Sequence, residues 1–156
     1  MPKPAAAKLL SSPDEHLGYW LRFISIHTSH VFSLKLESLG VTVAEWMVLR
    51  TLYGSNLTSP SALADAMGRS RGAISRLVER LVNKKLIKRV ALREDRRGQS
   101  ITLTRSGVNI VPKLNRLAEG NEERFFSHFK PKERQQLIHR LKQIAKSHNL
   151  KEVPLE

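Results

Sequence analysis

The chain has 156 residues, 40% of them hydrophobic, and carries 27 Lys and Arg against 14 Asp and Glu, a formal charge of +13. That length and apolar content suit one compact domain with extended appendages, and so one-sided a charge points to a polyanionic partner, nucleic acid before an acidic membrane surface. With no cysteine, disulfides, thiolate metal sites and thiol redox sensing are excluded, and no apolar run approaches the ~20 residues of a membrane span.

Residues 1–11 read as a flexible tail without the apolar stretch of a secretion signal, so a soluble, cytoplasmic, nucleoid-associated protein is expected. Ser12, Pro13, Asp14 and Glu15 form a capping-box start for a helix over 12–40. Leu17, Leu21, Ile24, Thr28, Val31 and Phe32 continue it at three- and four-residue steps. Thr42 with Glu45 opens a second helix, on which Trp46, Leu49, Leu52 and Tyr53 share a face, and Gly54-Ser55-Asn56 ends it. Thr58 or Ser59 caps a short third helix with Pro60 in its first turn, broken at Gly68. Ser70 caps a fourth running to about Lys84. Its apolar stripe is Ile74, Leu77, Val78, Leu81 and Val82, leaving Gly72, Ser75, Arg76, Glu79, Arg80 and Asn83 on the other side.

Val90 with Leu92, and Ile101 with Leu103, alternate with polar or small neighbours, a period of two. Between them lies the charged stretch Glu94-Asp95-Arg96-Arg97-Gly98, which makes it a hairpin tip. Thr104 caps a long fifth helix from about Arg105 to Phe129, with Pro112 and Gly120 as weak points. Pro131 restarts a last helix carrying Leu137, Ile138, Leu141, Ile144 and Ala145 on one face. Residues 151–156 read as a frayed tail.

Short helix, tight turn, second helix and hairpin together make a helix-turn-helix with a wing. The expected fold class is mainly α with a small β-hairpin wing: a winged helix-turn-helix domain over 41–104, flanked by long helices over 12–40 and 105–150. A helix pair alone is a common core unit, and a charged turn is often only solvated. The wing and the +13 charge favour DNA. The fourth helix suits the major groove, where Ser70, Arg71, Gly72, Ser75 and Arg76 reach base edges. Lys84, Lys85, Lys88 and Arg89 are candidate phosphate contacts. Arg96 and Arg97, beside Gly98, suit a narrow minor groove, and Asp95, which would repel phosphate, is expected to pair with an arginine and stiffen the tip.

The segments "VTVAEWMVLRTL", "LTSPSALADAMGRSRGAISRLVERLVNKKLIKR" and "EDRRGQSITLTRSG" resemble the MarR family of winged-helix regulators. The last matches most closely, with Asp95-Arg96-Arg97-Gly98 followed by Leu103-Thr104 and Gly107. The resemblance implies a homodimer whose first and last helices interlock, on a pseudo-palindromic operator in double-stranded DNA. It also implies a repressor, released in many members by small, often aromatic or anionic ligands. The major-groove role carries over to Ser70, Arg71, Ser75 and Arg76, and the minor-groove role to Arg97, with Arg96 and Gly98 beside it. Two positions depart: Lys85 stands where glycine is common, so either Asn83 ends the helix early or Lys85 is strained, and Lys130 stands where a capping serine before Pro131 is usual.

The apolar stripes of the end helices exceed what a small winged core can cover, and a two-fold dimer is the common solution. His27 and His30 have metal-compatible spacing but no further ligand near them in sequence, so a buried or interfacial role is expected, with no metal and no cofactor. Trp46, Phe23 and His27 are core candidates that could also line a ligand cleft, with Arg50 for a carboxylate. No nucleophile–base set and no phosphate loop is present, so no enzyme is expected. Rival readings are a non-specific architectural or antirepressor DNA binder, and an RNA-binding or protein-docking winged helix. Base-reading candidates on the fourth helix count against the first.

Overall fold

In the computed structural model, which describes residues 11–55, 58–91 and 99–151, the described residues run through six α-helices and one antiparallel hairpin. In order these are α1 Leu17–Glu37, α2 Val43–Leu52, α3 Pro60–Met67, α4 Arg71–Asn83, β1 Ile87–Ala91, β2 Gln99–Leu103, α5 Arg105–Phe126 and α6 Pro131–Ser147. The mainly α, winged architecture is the one the sequence predicts.

Local chemistry sets the boundaries. Thr42 and Glu45 make the reciprocal capping box: the Glu45 N–H donates to Thr42 Oγ1 (3.2 Å) and the Thr42 N–H to Glu45 Oε2 (2.9 Å). Ser59, Ser70 and Thr104 cap α3, α4 and α5 with their hydroxyl oxygens. Thr58 is not a cap; it exchanges backbone hydrogen bonds with Ile101, adding one residue of strand to the wing. Gly68 ends α3 in the left-handed region, φ +58°.

The start of α1 and the end of α5 differ from expectation. Ser12 starts only a short 3-10 turn, Pro13–Glu15, with no side-chain cap bond, and the extended His16 separates it from α1. The Trp20 indole N–H bonds the Asp14 carbonyl instead (2.8 Å), docking that turn on α1. α5 stops at Phe126 rather than Phe129, having passed through Pro112 and Gly120. At α6 the lysine side chain cannot accept a hydrogen bond. Only half a capping box forms, the Lys130 N–H donating to Glu133 Oε2 (2.8 Å).

Strand β1 begins earlier than the Val90–Leu92 alternation implies, because Ile87 is buried and pairs with Leu103. The register continues through Arg89 opposite Ile101 to Ala91 opposite Gln99. The hairpin tip, with Leu92, Asp95, Arg96, Arg97 and Gly98, lies outside the described residues.

The core is Leu36, Val41, Trp46, Val48, Leu49, Leu52, Leu63, Ile74, Leu77, Val78, Leu81, Ile87, Ile101, Val111 and Leu114. Each such side chain contributes about 1.5–3 kcal/mol by leaving water. All lie between residues 36 and 114. α1 supplies only Leu36 and α6 nothing, so the core belongs to the winged unit and the N-terminal half of α5. Trp20, Leu21 and Ile24 of α1 and Leu137, Ile138 and Leu141 of α6 stay about 40–45% exposed. They line an open groove of about 610 Å³ with Phe125, Phe126 and Phe129 at the end of α5. Asn121 crosses from α5 to α1, its amide N–H on the Thr28 carbonyl at 3.2 Å.

Candidate nucleic-acid interface

α4 divides as its sequence spacing predicts. Ile74, Leu77, Val78 and Leu81 are buried, while Arg71, Gly72, Ser75, Arg76, Glu79, Arg80 and Asn83 are exposed. Ser70 precedes this face, its Oγ accepting from the Ala73 N–H (3.2 Å). The hydroxyl still has a proton to donate outward. Gly72 has open space where a Cβ would stand. The structure therefore brings Ser70, Arg71, Gly72, Ser75 and Arg76 together on one solvent-facing surface at the amino end of a well-anchored helix.

The anchoring comes from acids the sequence pattern did not single out for it. Glu45, fully buried, receives Lys84 Nζ at 2.7 Å on Oε2, and Arg80 Nε lies 3.5 Å from Oε1. Lys84 Nζ also donates to the Gly40 carbonyl at 2.8 Å. One carboxylate thus caps α2 and ties the last turns of α4 to the α1–α2 turn. Burial pushes its carboxyl up, but the bonds from Lys84 and the Thr42 N–H, with the charges of Lys84 and Arg80, outweigh it. The group is held below the ordinary glutamate range. On the other side, Glu79 Oε2 receives Arg89 Nη2 at 2.6 Å, and Arg89 Nη1 donates to Gln99 Oε1 at 3.1 Å. That bridge joins α4 to both wing strands.

Two of the candidate phosphate contacts carry an acid partner here: Lys84 pairs with Glu45, and Arg89 with Glu79 in a solvent-exposed bridge. Lys85 and Lys88 remain exposed with no anionic partner among the described residues. Lys85 takes the left-handed conformation, φ +59°. The strained alternative at that position is the one found, with α4 running to Asn83 and Lys84 as its C-cap. The Lys85 carbonyl accepts from Thr104 Oγ1 (2.7 Å), which holds the turn against the start of α5.

The four expected ligand-cleft residues are not gathered in one cavity. Trp46 is buried in the core at 6% exposure. Phe23 and His27 pack against each other on the exposed surface of α1, ring centroids 4.5 Å apart and planes tilted by 52°. Arg50 lies elsewhere, in a pocket of about 320 Å³ with Tyr53, Val111, Pro112, Asn115 and Arg116. Trp46 and Arg50 are four apart, one helical turn, but Trp46 faces the core while Arg50 faces solvent. His27 and His30 are both exposed on α1, and no cluster of three metal-ligating side chains occurs among the described residues. No described helix is long and apolar enough to cross a membrane.

Glu45 and Glu79 as braces were missed because their partners lie 39 and 10 residues away. The only local sign for Glu45 was its capping-box position, which explains its place but not its burial.

The sequence model of the MarR family matches residues 39–98. The chain is 30% identical over 147 residues, 91% of its length and 89% of the relative's, to a transcriptional regulatory protein ascribed to the hcr operon of Thauera aromatica. It is 26% identical over 135 residues, 84% of its length and 90% of the relative's, to the HTH-type transcriptional regulator SarZ of Staphylococcus haemolyticus. Among solved structures, a MepR–DNA complex from S. aureus superposes with a TM-score of 0.78 at 26% identity, covering 85% of this chain and 98% of that one.

Proposed function

We propose that this chain, which belongs to the MarR family of DNA-binding transcriptional regulators, acts as a homodimeric, sequence-specific repressor on a pseudo-palindromic operator. The observation that carries the reading is the surface of Ser70, Arg71, Gly72, Ser75 and Arg76 on a helix braced from both sides. Such a helix presents Arg71 and Arg76 to base edges without a backbone ordering cost on binding. Arg96 and Arg97 take the minor groove in this reading and Asp95 stiffens the tip; all three lie outside the described residues. Lys85 and Lys88 contribute phosphate contacts.

The dimer is supported by the uncovered apolar side chains of α1, α5 and α6, which line one groove and would form an exposed patch in a lone chain. Two copies related by a two-fold axis cover it and present two recognition helices to one side of a duplex. Placing a charge there tests this: Leu141→Glu should sediment as one chain where the wild type sediments as two, and should lose operator affinity with it. A variant that stays dimeric overturns the groove as the interface.

In this proposal a small anionic, aromatic effector releases the protein from DNA. The support for that release is the Arg50 pocket, where two guanidiniums without an ion-pair partner among the described residues stand near the Tyr53 phenol. That chemistry suits a small carboxylate. Benzoate titrated against the DNA complex should release wild type but not Arg50→Ala. Equal release of both removes the pocket from the account.

A further inference from the structure

The positive charge of this chain is not confined to the winged unit. Residues 105–151 hold eleven Lys and Arg against four Glu and no Asp, seven of the thirteen net charges. Much of that excess sits on α6. Around its 17 residues, Leu137, Ile138, Leu141 and Ile144 share the side that lines the groove with α1 and α5. Lys132, Gln136, His139, Arg140, Gln143 and Lys146 share the opposite side, and every one is exposed.

That outer side contains no acid. The single acid of α6, Glu133, belongs to the first turn, where it accepts the Lys130 N–H. Arg134 is occupied by the Phe126 carbonyl (2.8 Å) and Glu123. Lys132, Arg140 and Lys146 have no anionic partner among the described residues. This differs from α4, where Glu45 and Glu79 hold Arg80, Lys84 and Arg89. An ordinary solvated helix surface mixes both signs, because i, i+4 pairs of opposite charge stabilise it. Here cations are interleaved only with glutamines and a histidine, all able to donate hydrogen bonds to phosphate oxygens. The helix is about 25 Å long, the span of about seven base pairs of phosphate backbone at ~3.4 Å per step.

From this we infer that the outer side of α6 is a second DNA-binding surface, one that takes the phosphate backbone of another duplex while the winged unit holds the first. α6 lines its groove together with α1 and the end of α5, whereas α4 packs on α2, α3 and β1. The two surfaces therefore belong to different parts of the fold. A lipid surface fits less well, because a helix lying on a membrane must turn its apolar side into the lipid, and that side of α6 faces the groove. The contact is to phosphates and carries no base specificity. The inference rests on the winged unit binding the first duplex.

The test is bridging by the full chain. A surface-tethered duplex of mixed sequence is loaded with protein, washed, and offered a fluorescent duplex of unrelated sequence. Wild type should capture the second duplex, with capture falling steeply as salt rises. The triple variant Lys132→Glu, Arg140→Glu, Lys146→Glu should load normally on the first duplex and lose about tenfold or more in capture. The glutamine triple variant should lower the salt slope of capture by about 3, one unit per cation removed. Capture unchanged in both triple variants would assign bridging to the paired winged units and overturn the inference. So would no capture by wild type on a loaded surface. Binding of wild type to phosphatidylglycerol vesicles, lost in the triple variants while duplex capture persists, would overturn it in favour of a membrane. Failure of wild type to load the first duplex would overturn the DNA-binding reading itself, and Lys88→Glu, a phosphate contact of the winged unit, should weaken loading and separates that failure from loss at α6.

Discussion

Glu45 at the start of α2 and Lys84 at the end of α4 meet at 2.7 Å, with Glu45 fully buried and Lys84 reaching it from the surface. The pair fixes the recognition helix against the helix behind it. Removing the carboxylate leaves Lys84 and Arg80 without their partner, though both are exposed enough to rehydrate. Glu45→Gln should therefore cost about 1–3 kcal/mol, less than breaking a fully buried pair, or roughly 2–4 °C in Tm per kcal/mol. The carboxyl titrates lower in the fold than in the unfolded chain. Its contribution is full above about pH 4.3, the ordinary glutamate value, and is lost as pH falls through the lower folded value. Thermal melts below that pH should thus fall more steeply for wild type than for Glu45→Gln. Parallel curves would mean that the pair contributes nothing.

Lys85→Gly should stabilise the protein. A lysine at φ +59° bears a left-handed penalty of about 1–2 kcal/mol, of which the greater unfolded-state freedom of glycine takes back about 0.5–1. A net gain of roughly 0.5–1 kcal/mol should appear as a raised denaturant midpoint. A lowered midpoint would show that the Lys85 side chain stabilises the fold through a contact the backbone angle does not reveal.

Gly107→Ala should act in the opposite direction. A Cβ at this position in the first turn of α5 would collide with the Leu86 carbonyl oxygen, and with the Leu103 side chain at 3.3 Å. That carbonyl already accepts the Thr104 N–H, so it cannot move freely. A loss of about 1–3 kcal/mol is expected from overpacking, read in urea melts. Wild-type stability would mean that α5 can shift away from the wing at little cost.

How far the sequence was legible follows from the range of each interaction. The capping boxes, the glycine stops and the apolar stripe of α4 are local, and Thr42, Gly68 and Ser70 stand where their spacing implied. The Ser12 start fails although its capping-box residues are in place: Ser12 makes no side-chain cap bond, and Trp20 bonding the Asp14 carbonyl docks a short turn instead. Nothing local to Lys84 and Arg89 marks them as paired. Their acids, Glu45 and Glu79, come together with them only through tertiary packing. Trp46 and Arg50 stand one helical turn apart on α2, but Trp46 is buried in the core while Arg50 reaches solvent at its edge.

Arg76→Ala separates base reading from phosphate holding. If Arg76 pairs with a guanine, the loss should be ~1–3 kcal/mol at the preferred base and near zero for duplexes lacking it. Binding to a set of single-base operator variants measures this. A uniform loss across the set, with the salt slope reduced by about 1, would reassign Arg76 to the backbone.

The central claim, a two-fold, sequence-specific DNA binder, is tested most directly by selecting the duplexes that the full chain retains from a random pool. The account predicts an inverted repeat whose half-sites lie about 10 bp apart, one helical turn, so that two recognition helices enter one side of the duplex. Recovery of no common sequence, or of a single unrepeated site, would contradict it.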